Sequence, residues 1–325
     1  MLGADLHDLI AYISGLPSPP DGLTHSWRQW QIALIEGGRN GRVYRATSEQ
    51  ADLAVKLTAR DRHDRAGREY CALQTLARAG LEIAPRPLLV ERDRYRAPVV
   101  VMTWLAGTVS DDLPSSDDEW VRLVEHVAAI HRVTPSTTSI DLSEAVLSMR
   151  SPSDGLARVR LEVEQIPRAD QPAALRRLLE AFERHDFPSW PTPPTSLRRG
   201  DPNIRNIVRR PGAWASVDWE YSGWSDPAAE IADLIAHAAY LDVPAERWAW
   251  VTQVYASLGH DPGVIGRIDV YTSLMYGFWA GRLGRMLYQV PRGLDDRLAP
   301  WPDGWLDSVR RNYERYLELA ARALR

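Results

Sequence analysis

Between Thr103 and Gly107, in "TWLAG", the apolar pattern changes its repeat. Upstream lie short β-rich runs, whereas downstream the apolar residues recur at three and four, as on one face of a helix. Residues 4–14 read as a short amphipathic helix that "GLPSPPDG" at 15–22 ends, a prefix with a linker. The runs "WQIALIEGG", "RVYRATS" and "DLAVKLT" follow, separated by Gly-Gly-Arg-Asn-Gly and by Glu49-Gln50-Ala51, and predict an antiparallel meander. A helical pattern from about Asp64 to Ala79 stops before Pro85 and Pro87. Apolar runs near 87–91 and 98–103 complete a sheet of about five strands with one helix.

Beyond "TWLAG", the stretch "SSDDEWVRLVEHVAAIHRV" opens with serine and acidic residues, which favour a helix N-terminus, and then places Trp120, Val121, Leu123, Val124, Val127 and Ile130 on a helical period. Similar patterns cover 154–166, 171–185, 227–241, 245–258, 263–289 and 303–324. Between them, "SWPTPPTSLRRGDPNIRNIVRR" and "AWASVDWEYSG" read as an extended pair joined by Pro211-Gly212. The expected class is α+β: a helix and linker at 1–24, a small antiparallel-sheet lobe at 25–103, and a large helical lobe at 104–325.

Composition narrows the function. The chain of 325 residues is 45% hydrophobic, enough for a large core in two lobes. A net charge of −4 and 38 scattered arginines give no electrostatic footprint for nucleic acid. Cys71 is the only cysteine, so there is no internal disulfide and no cysteine cluster for zinc; in an apolar helical pattern it reads as a core residue. No run approaches a membrane span, and the first residues lack the basic start and unbroken apolar core of a signal peptide. A reducing cytoplasm is the expected setting, which removes the cell-adhesion reading of Arg199-Gly200-Asp201.

Lys56 is the only lysine in a chain with 38 arginines. A general arginine bias predicts arginine at 56 as well, so this site calls for a compact ammonium on a thin stem. The order of parts around it is informative: a Gly-rich hairpin, the lysine on the third β-run, an acid on the next helix, then Asp201-x4-Asn206 and an isolated Asp218 on neighbouring strands. Phosphoryl transfer from a nucleotide requires such parts, because its catalysis is mainly positioning and charge neutralisation. Backbone N–H groups and a lysine hold phosphates, hard oxygens hold magnesium, and a carboxylate accepts the proton of the attacking hydroxyl.

These residues resemble the aminoglycoside phosphotransferase and choline kinase group, which shares the bilobal protein-kinase-like fold. "GDPNIRN" is similar to that group's catalytic loop, and the resemblance implies Asp201 as base and Asn206 as a magnesium ligand. "SVDWEYSGWSDPAAEIADL" resembles the second metal segment, which makes Asp218 the main magnesium ligand. "LAVKL" and "REYCALQTLARAG" imply Lys56 as the phosphate lysine and Glu69 as the acid that orients it. "VVVMTWLAG" resembles the hinge whose backbone, around Thr103 and Leu105, pairs with the nucleotide base. "EGGRNGRVYRA" resembles the looser nucleotide loop of small-molecule kinases, with Gly37, Gly38, Asn40 and Gly41. The match runs in order through roughly residues 30 to 240 and implies a kinase using Mg2+ and ATP or GTP.

Local alternatives stand beside each assignment. Asp201 before Pro202 also suits a turn, Asn206 a loop backbone, and the four loop residues a plain hairpin. Glu220 suits either a metal contact or loop closure. Asp218 in the apolar run "WASVDW" would be costly to bury without a cation or hydrogen bonds. One departure from the group is Arg199, where its members carry histidine; an arginine there is expected to hold the loop by other hydrogen bonds.

The acceptor is least explicit. Asp226 before Pro227 reads as a helix N-cap. Asp226, Glu230 and Asp233 share one helical face, suited either to a cationic substrate or to solvent and capping. Trp219, Trp224, Trp248, Trp250, Trp279, Trp301 and Trp305 crowd the latter part; most fit a core, and two or three are expected at the acceptor pocket. The reading is a kinase of a small hydroxylated molecule, aminoglycosides or sugars ahead of choline or ethanolamine. Its rival is a nucleotide-binding protein without transferase activity. The segment from Asp218 to Asp226 is too short for the peptide-docking platform of a protein kinase.

Overall fold

A computed structural model describes residues 2–16, 24–35, 41–259, 261–294 and 304–325. Helix α1 (Leu2–Gly15) leads into strands β1 (Thr24–Trp27), β2 (Trp30–Ile35), β3 (Gly41–Thr47) and β4 (Asp52–Thr58). Helix α2 (Arg65–Arg78) follows, then β5 (Pro87–Glu91) and β6 (Val99–Thr103). Among the described residues, six strands form one antiparallel sheet in the order β1-β2-β3-β4-β6-β5. The strand beyond the expected five is β1, a short edge whose exposure pattern carries no buried position for a hydrophobic signal to mark.

The register of this sheet decides what its faces carry. Ala54 lies opposite Met102, Val55 opposite Val101 and Lys56 opposite Val100. Side chains alternate across a strand, so Ala54, Lys56, Val100 and Met102 share one face while Val55, Val99 and Val101 share the other. Helix α1 covers the second face with Leu6, Leu9, Ile10 and Ile13. Helix α2 covers the first with Ala72, Leu73 and Leu76. The sheet is therefore enclosed by two helices, and the amphipathic prefix seen in the sequence supplies half of its core. Lys56 is carried on the α2 face, where an acid of that helix can meet it.

The second lobe is helical: α3 (Asp117–His131), α4 (Pro152–Glu164), α5 (Ala173–Arg184), α6 (Pro227–Ala236), α7 (Ala245–Ser257), α8 (Val264–Gln289) and α9 (Trp305–Ala323). Helix α8 packs against α4, α6 and α9. Between α5 and α6 the chain forms β7 (Ser196–Arg198), β8 (Ile207–Val208), β9 (Ala215–Ser216) and β10 (Gly223–Ser225). Strand β8 pairs with β9 across the Pro211-Gly212 turn, and β10 pairs with β7. The architecture is the α+β, two-lobed arrangement read from the sequence.

Helix α6 corrects one expectation. Asp226, Glu230 and Asp233 are all buried, so they form neither a solvated face nor a surface for a cationic acceptor. Each has an internal partner. Asp226 caps α6 by accepting from Ala228 N–H at 2.9 Å, and also accepts from Arg267 Nε at 2.7 Å and the Tyr271 hydroxyl at 3.1 Å. Asp233 takes the Arg198 guanidinium. Glu230 accepts the backbone N–H groups of Arg199 and Gly200 at 3.0 and 3.1 Å, and lies 2.9 Å from His131 Nε2. Buried carboxylates need such partners; Glu230 and Asp233 fasten α6 to the strand end that leads to Asp201, and Asp226 fastens it to α8.

Two outcomes follow. Ile10→Ala is expected to destabilise the protein by about 2–5 kcal/mol, since the side chain is fully buried against the sheet; urea denaturation checks it. Burial alone would push the Glu230 carboxyl up, but the His131 contact and the Arg198 and Arg199 charges hold it at about 2. A carboxylate with a depressed folded pKa contributes stability above its unfolded value, and that contribution is lost as pH falls toward the folded one. Stability is therefore expected to fall from about pH 4.5 to about pH 2 by roughly 3 kcal/mol more in the native protein than in Glu230→Gln, measured by denaturation across that range.

Candidate active site

Lys56 is 6% exposed and is surrounded by carboxylates. Its Nζ lies 2.6 Å from Asp218 Oδ1, 2.8 Å from Glu69 Oε2 and 3.2 Å from Glu220 Oε2. Of these contacts, the one to Asp218 has hydrogen-bond geometry. Burial pulls the ammonium's pKa down, but the Asp218, Glu69 and Glu220 charges outweigh it and hold the group well above the ordinary lysine range. Asp218 responds in the opposite sense: burial pushes it up, and the Lys56 ammonium brings it below the usual aspartate value. The pair is thus fully charged at neutral pH. Glu69, Asp218 and Glu220 stand close enough to share a cation, and the cation between them is this ammonium.

The partners come from two places, α2 and the turn that follows β9. Glu69 lies in the second turn of α2, and its other oxygen accepts Trp219 N–H at 3.1 Å. Asp218 follows β9 in a left-handed backbone conformation, φ 63°, which turns the chain sharply after the strand. Trp219, fully buried with its indole N–H on Ser216 O at 3.1 Å, secures that turn. Glu220 is held on its far oxygen by Arg65 Nη1 at 2.5 Å.

Asp201 and Asn206 sit on the neighbouring loop. Asp201 accepts Asn203 N–H at 3.2 Å and Asn206 Nδ2 at 3.1 Å. Burial raises the Asp201 pKa, and the Asp218 charge adds to the rise. Val217 N–H donates to Asn206 O at 2.9 Å, so the loop is tied to the segment between β9 and Asp218. Gly200 has φ +82°, and a Cβ there would press on Tyr221 O at 2.8 Å; glycine is needed immediately before Asp201. Arg199 is buried, with its guanidinium 3.5 Å from Val217 O, while its backbone N–H goes to Glu230. Here an arginine, together with Glu230, secures the loop.

Other predicted positions are distributed less directly. Thr103 N–H donates to Arg86 O at 2.9 Å and Trp104 N–H to Asp52 O at 2.8 Å. Thr103 Oγ1 accepts Arg86 N–H at 2.9 Å, whereas the Leu105 N–H makes no hydrogen bond among the described residues. Gly41 begins β3, and a Cβ there would collide with the Leu57 carbonyl, so sheet packing alone requires this glycine. Gly37, Gly38 and Asn40 lie outside the described residues, as does Trp301. Trp219 and Trp248 are core, and Trp279 stacks on Tyr316 with ring centroids 6.0 Å apart. Cys71 is half-buried beside the α2 core and burial raises its thiol pKa, which leaves it a poor nucleophile.

Sequence reasoning did not single out Arg65. The available signal was spacing: Asp61, Arg65 and Glu69 recur every four residues, which stacks them on one side at the start of α2.

Known structures share this fold. No curated protein sequence matches the chain. Among solved structures, a spectinomycin phosphotransferase in complex with ADP and spectinomycin superposes with a TM-score of 0.62 at 14% identity, covering 98% of each chain. A choline kinase from Streptococcus pneumoniae gives 0.61 at 16% identity, over 98% of this chain and 99% of that one. A macrolide 2'-phosphotransferase from Brachybacterium faecium gives 0.58 at 22% identity, over 98% and 97%. At these identities the likeness concerns the fold. Residues 31–263, however, match the family model described as the phosphotransferase enzyme family, and the chain belongs to that family.

Proposed function

We propose that this phosphotransferase moves the γ-phosphoryl group of ATP or GTP to a hydroxyl of a small molecule of the aminoglycoside or sugar class, with Mg2+ as cofactor, in the cytoplasm. The observation that carries the reading is the meeting of Lys56, Glu69 and Asp218, drawn from β4, α2 and the end of β9, beside a loop where Asn206 holds Asp201. No packing requirement calls for a buried ammonium among three carboxylates, which is costly unless it serves a charged ligand.

Lys56 is placed to meet nucleotide phosphates, and Glu69 keeps its long stem from straying. Asp201 accepts the acceptor's hydroxyl proton as that oxygen bonds to the γ-phosphorus; the bond to the bridging oxygen breaks, and the nucleoside diphosphate leaves. Its raised proton affinity suits that role. Asp218, kept ionised by Lys56, and Asn206, whose amide nitrogen is engaged by Asp201 so that its carbonyl oxygen is left to accept, are hard donors that fit Mg2+. When bound, Mg2+ neutralises charge on the phosphates.

A nucleotide-consumption screen across aminoglycosides, sugars, choline and other small alcohols tests the proposal, and no turnover with any of them would refute the acceptor class. With a positive acceptor, Asp201→Asn is expected to lower kcat by about 100-fold or more while nucleotide affinity stays within a few-fold; near-native turnover would remove Asp201 from the chemistry. Asp218→Ala is expected to abolish the magnesium-dependent part of nucleotide binding. Calorimetric titration with and without magnesium measures it.

A further inference from the structure

Three side chains of α2 reach the turn that follows Asp218. Glu69 accepts Trp219 N–H, Arg68 Nη1 donates to Ser222 O and to Glu144 O at 2.6 Å each, and Arg65 Nη1 donates to Glu220 Oε1 at 2.5 Å. Arg65 is buried and fixed on its other sides as well. Its Nε lies 2.7 Å from Asp61 Oδ2, and its guanidinium sits 4.9 Å over the Tyr221 ring. The other oxygen of Glu220, Oε2, lies 3.2 Å from Lys56 Nζ.

We propose that Arg65 is a positioning residue for phosphoryl transfer: by gripping one oxygen of Glu220 it keeps the other against Lys56, so the ammonium would stay in place were Asp218 to serve as a metal ligand. The inference rests on the kinase reading above. The one well-aligned hydrogen bond of Lys56 goes to Asp218, a group the reaction needs elsewhere. Once that bond is given up, Glu69 and Glu220 are the carboxylates left at the ammonium. A lysine stem has several free rotations, and a second carboxylate from another element limits them. Glu220 can serve only if its carboxylate is held in one orientation, and the planar fork of Arg65 does this while also binding Asp61. Arg65 thus acts on the phosphates through Glu220 and Lys56.

Because Lys56 is the only lysine, protein labelled with 15N-lysine has a single side-chain ammonium resonance, and its proton exchange reports on this clamp without substrate. Arg65→Met and Glu220→Gln are each expected to speed that exchange by about tenfold or more. Arg68→Met, which removes a contact of the same helix to the same turn without touching Lys56, is expected to leave it unchanged. Each of the first two variants should lower kcat/KM for the nucleotide by about tenfold, and the double variant should lose no more than the worse single one. Unchanged ammonium exchange in folded Arg65→Met, or fully additive losses, would overturn the proposal. Should Arg65→Met fail to fold, the shape-conserving Glu220→Gln decides alone, and unchanged exchange there would overturn it equally. A perturbed ammonium in a protein that transfers no phosphoryl group would instead refute the kinase reading and leave the grip of Arg65 on Lys56 standing.

Discussion

A buried ammonium ion surrounded by carboxylates is the constraint around which this structure is organised. Lys56 cannot remain charged in the space between sheet and helix unless acids accompany it, and the acids come from two distant stretches of chain. Strand alternation directs the lysine toward α2, and α2 must then present Glu69 on its sheet-facing side. The segment from Asp218 to Glu220 has to fold back beneath both. Electrostatics therefore joins the two lobes here, beside an apolar cluster in which Ile130, Val133, Leu197 and Trp219 pack with Leu73, Leu76, Val100 and Met102 of the first lobe.

A second, separate set of charges fixes the loop with Asp201. Glu230 gathers two consecutive backbone N–H groups, Arg198 reaches Asp233, and Asp226 is tied to α8 through Arg267. These pairs lie deep in the helical lobe and touch neither Lys56 nor its partners. The candidate site thus draws on two sets of charges: one surrounds Lys56, the other holds the loop that leads to Asp201.

Much of this was legible in the sequence because the informative residues stand out against their surroundings. A lone lysine in an arginine-rich chain, an aspartate within an apolar strand and the Asp-x4-Asn spacing are each anomalous locally, and the structure brings Lys56, Glu69, Asp218, Asp201 and Asn206 into one region. The change from strand to helix near residue 104 was equally plain, since periodicity is a local property. What depended on partners far along the chain was not. The acids of α6 have the spacing of an exposed face, and only the approach of Arg198, His131 and Arg267 makes them internal. Helix α1 has the apolar stripe of a packed helix, but a stripe does not name the surface that covers it. Arg65 is one arginine among 38, and its four-residue spacing from Asp61 and Glu69 does not name Glu220 as its partner.

The burial of the sole lysine also shapes the chemistry of the molecular surface. Apart from the histidines, every other basic side chain is a guanidinium, which does not react as a primary amine does at neutral pH. The described surface therefore offers no lysine amine to acyl phosphates, reducing sugars, amine cross-linkers or the enzymes that conjugate proteins to lysine. The one ε-amine in the chain is shielded and held protonated, so an electrophile gains access to it only by displacing the carboxylates that define the site.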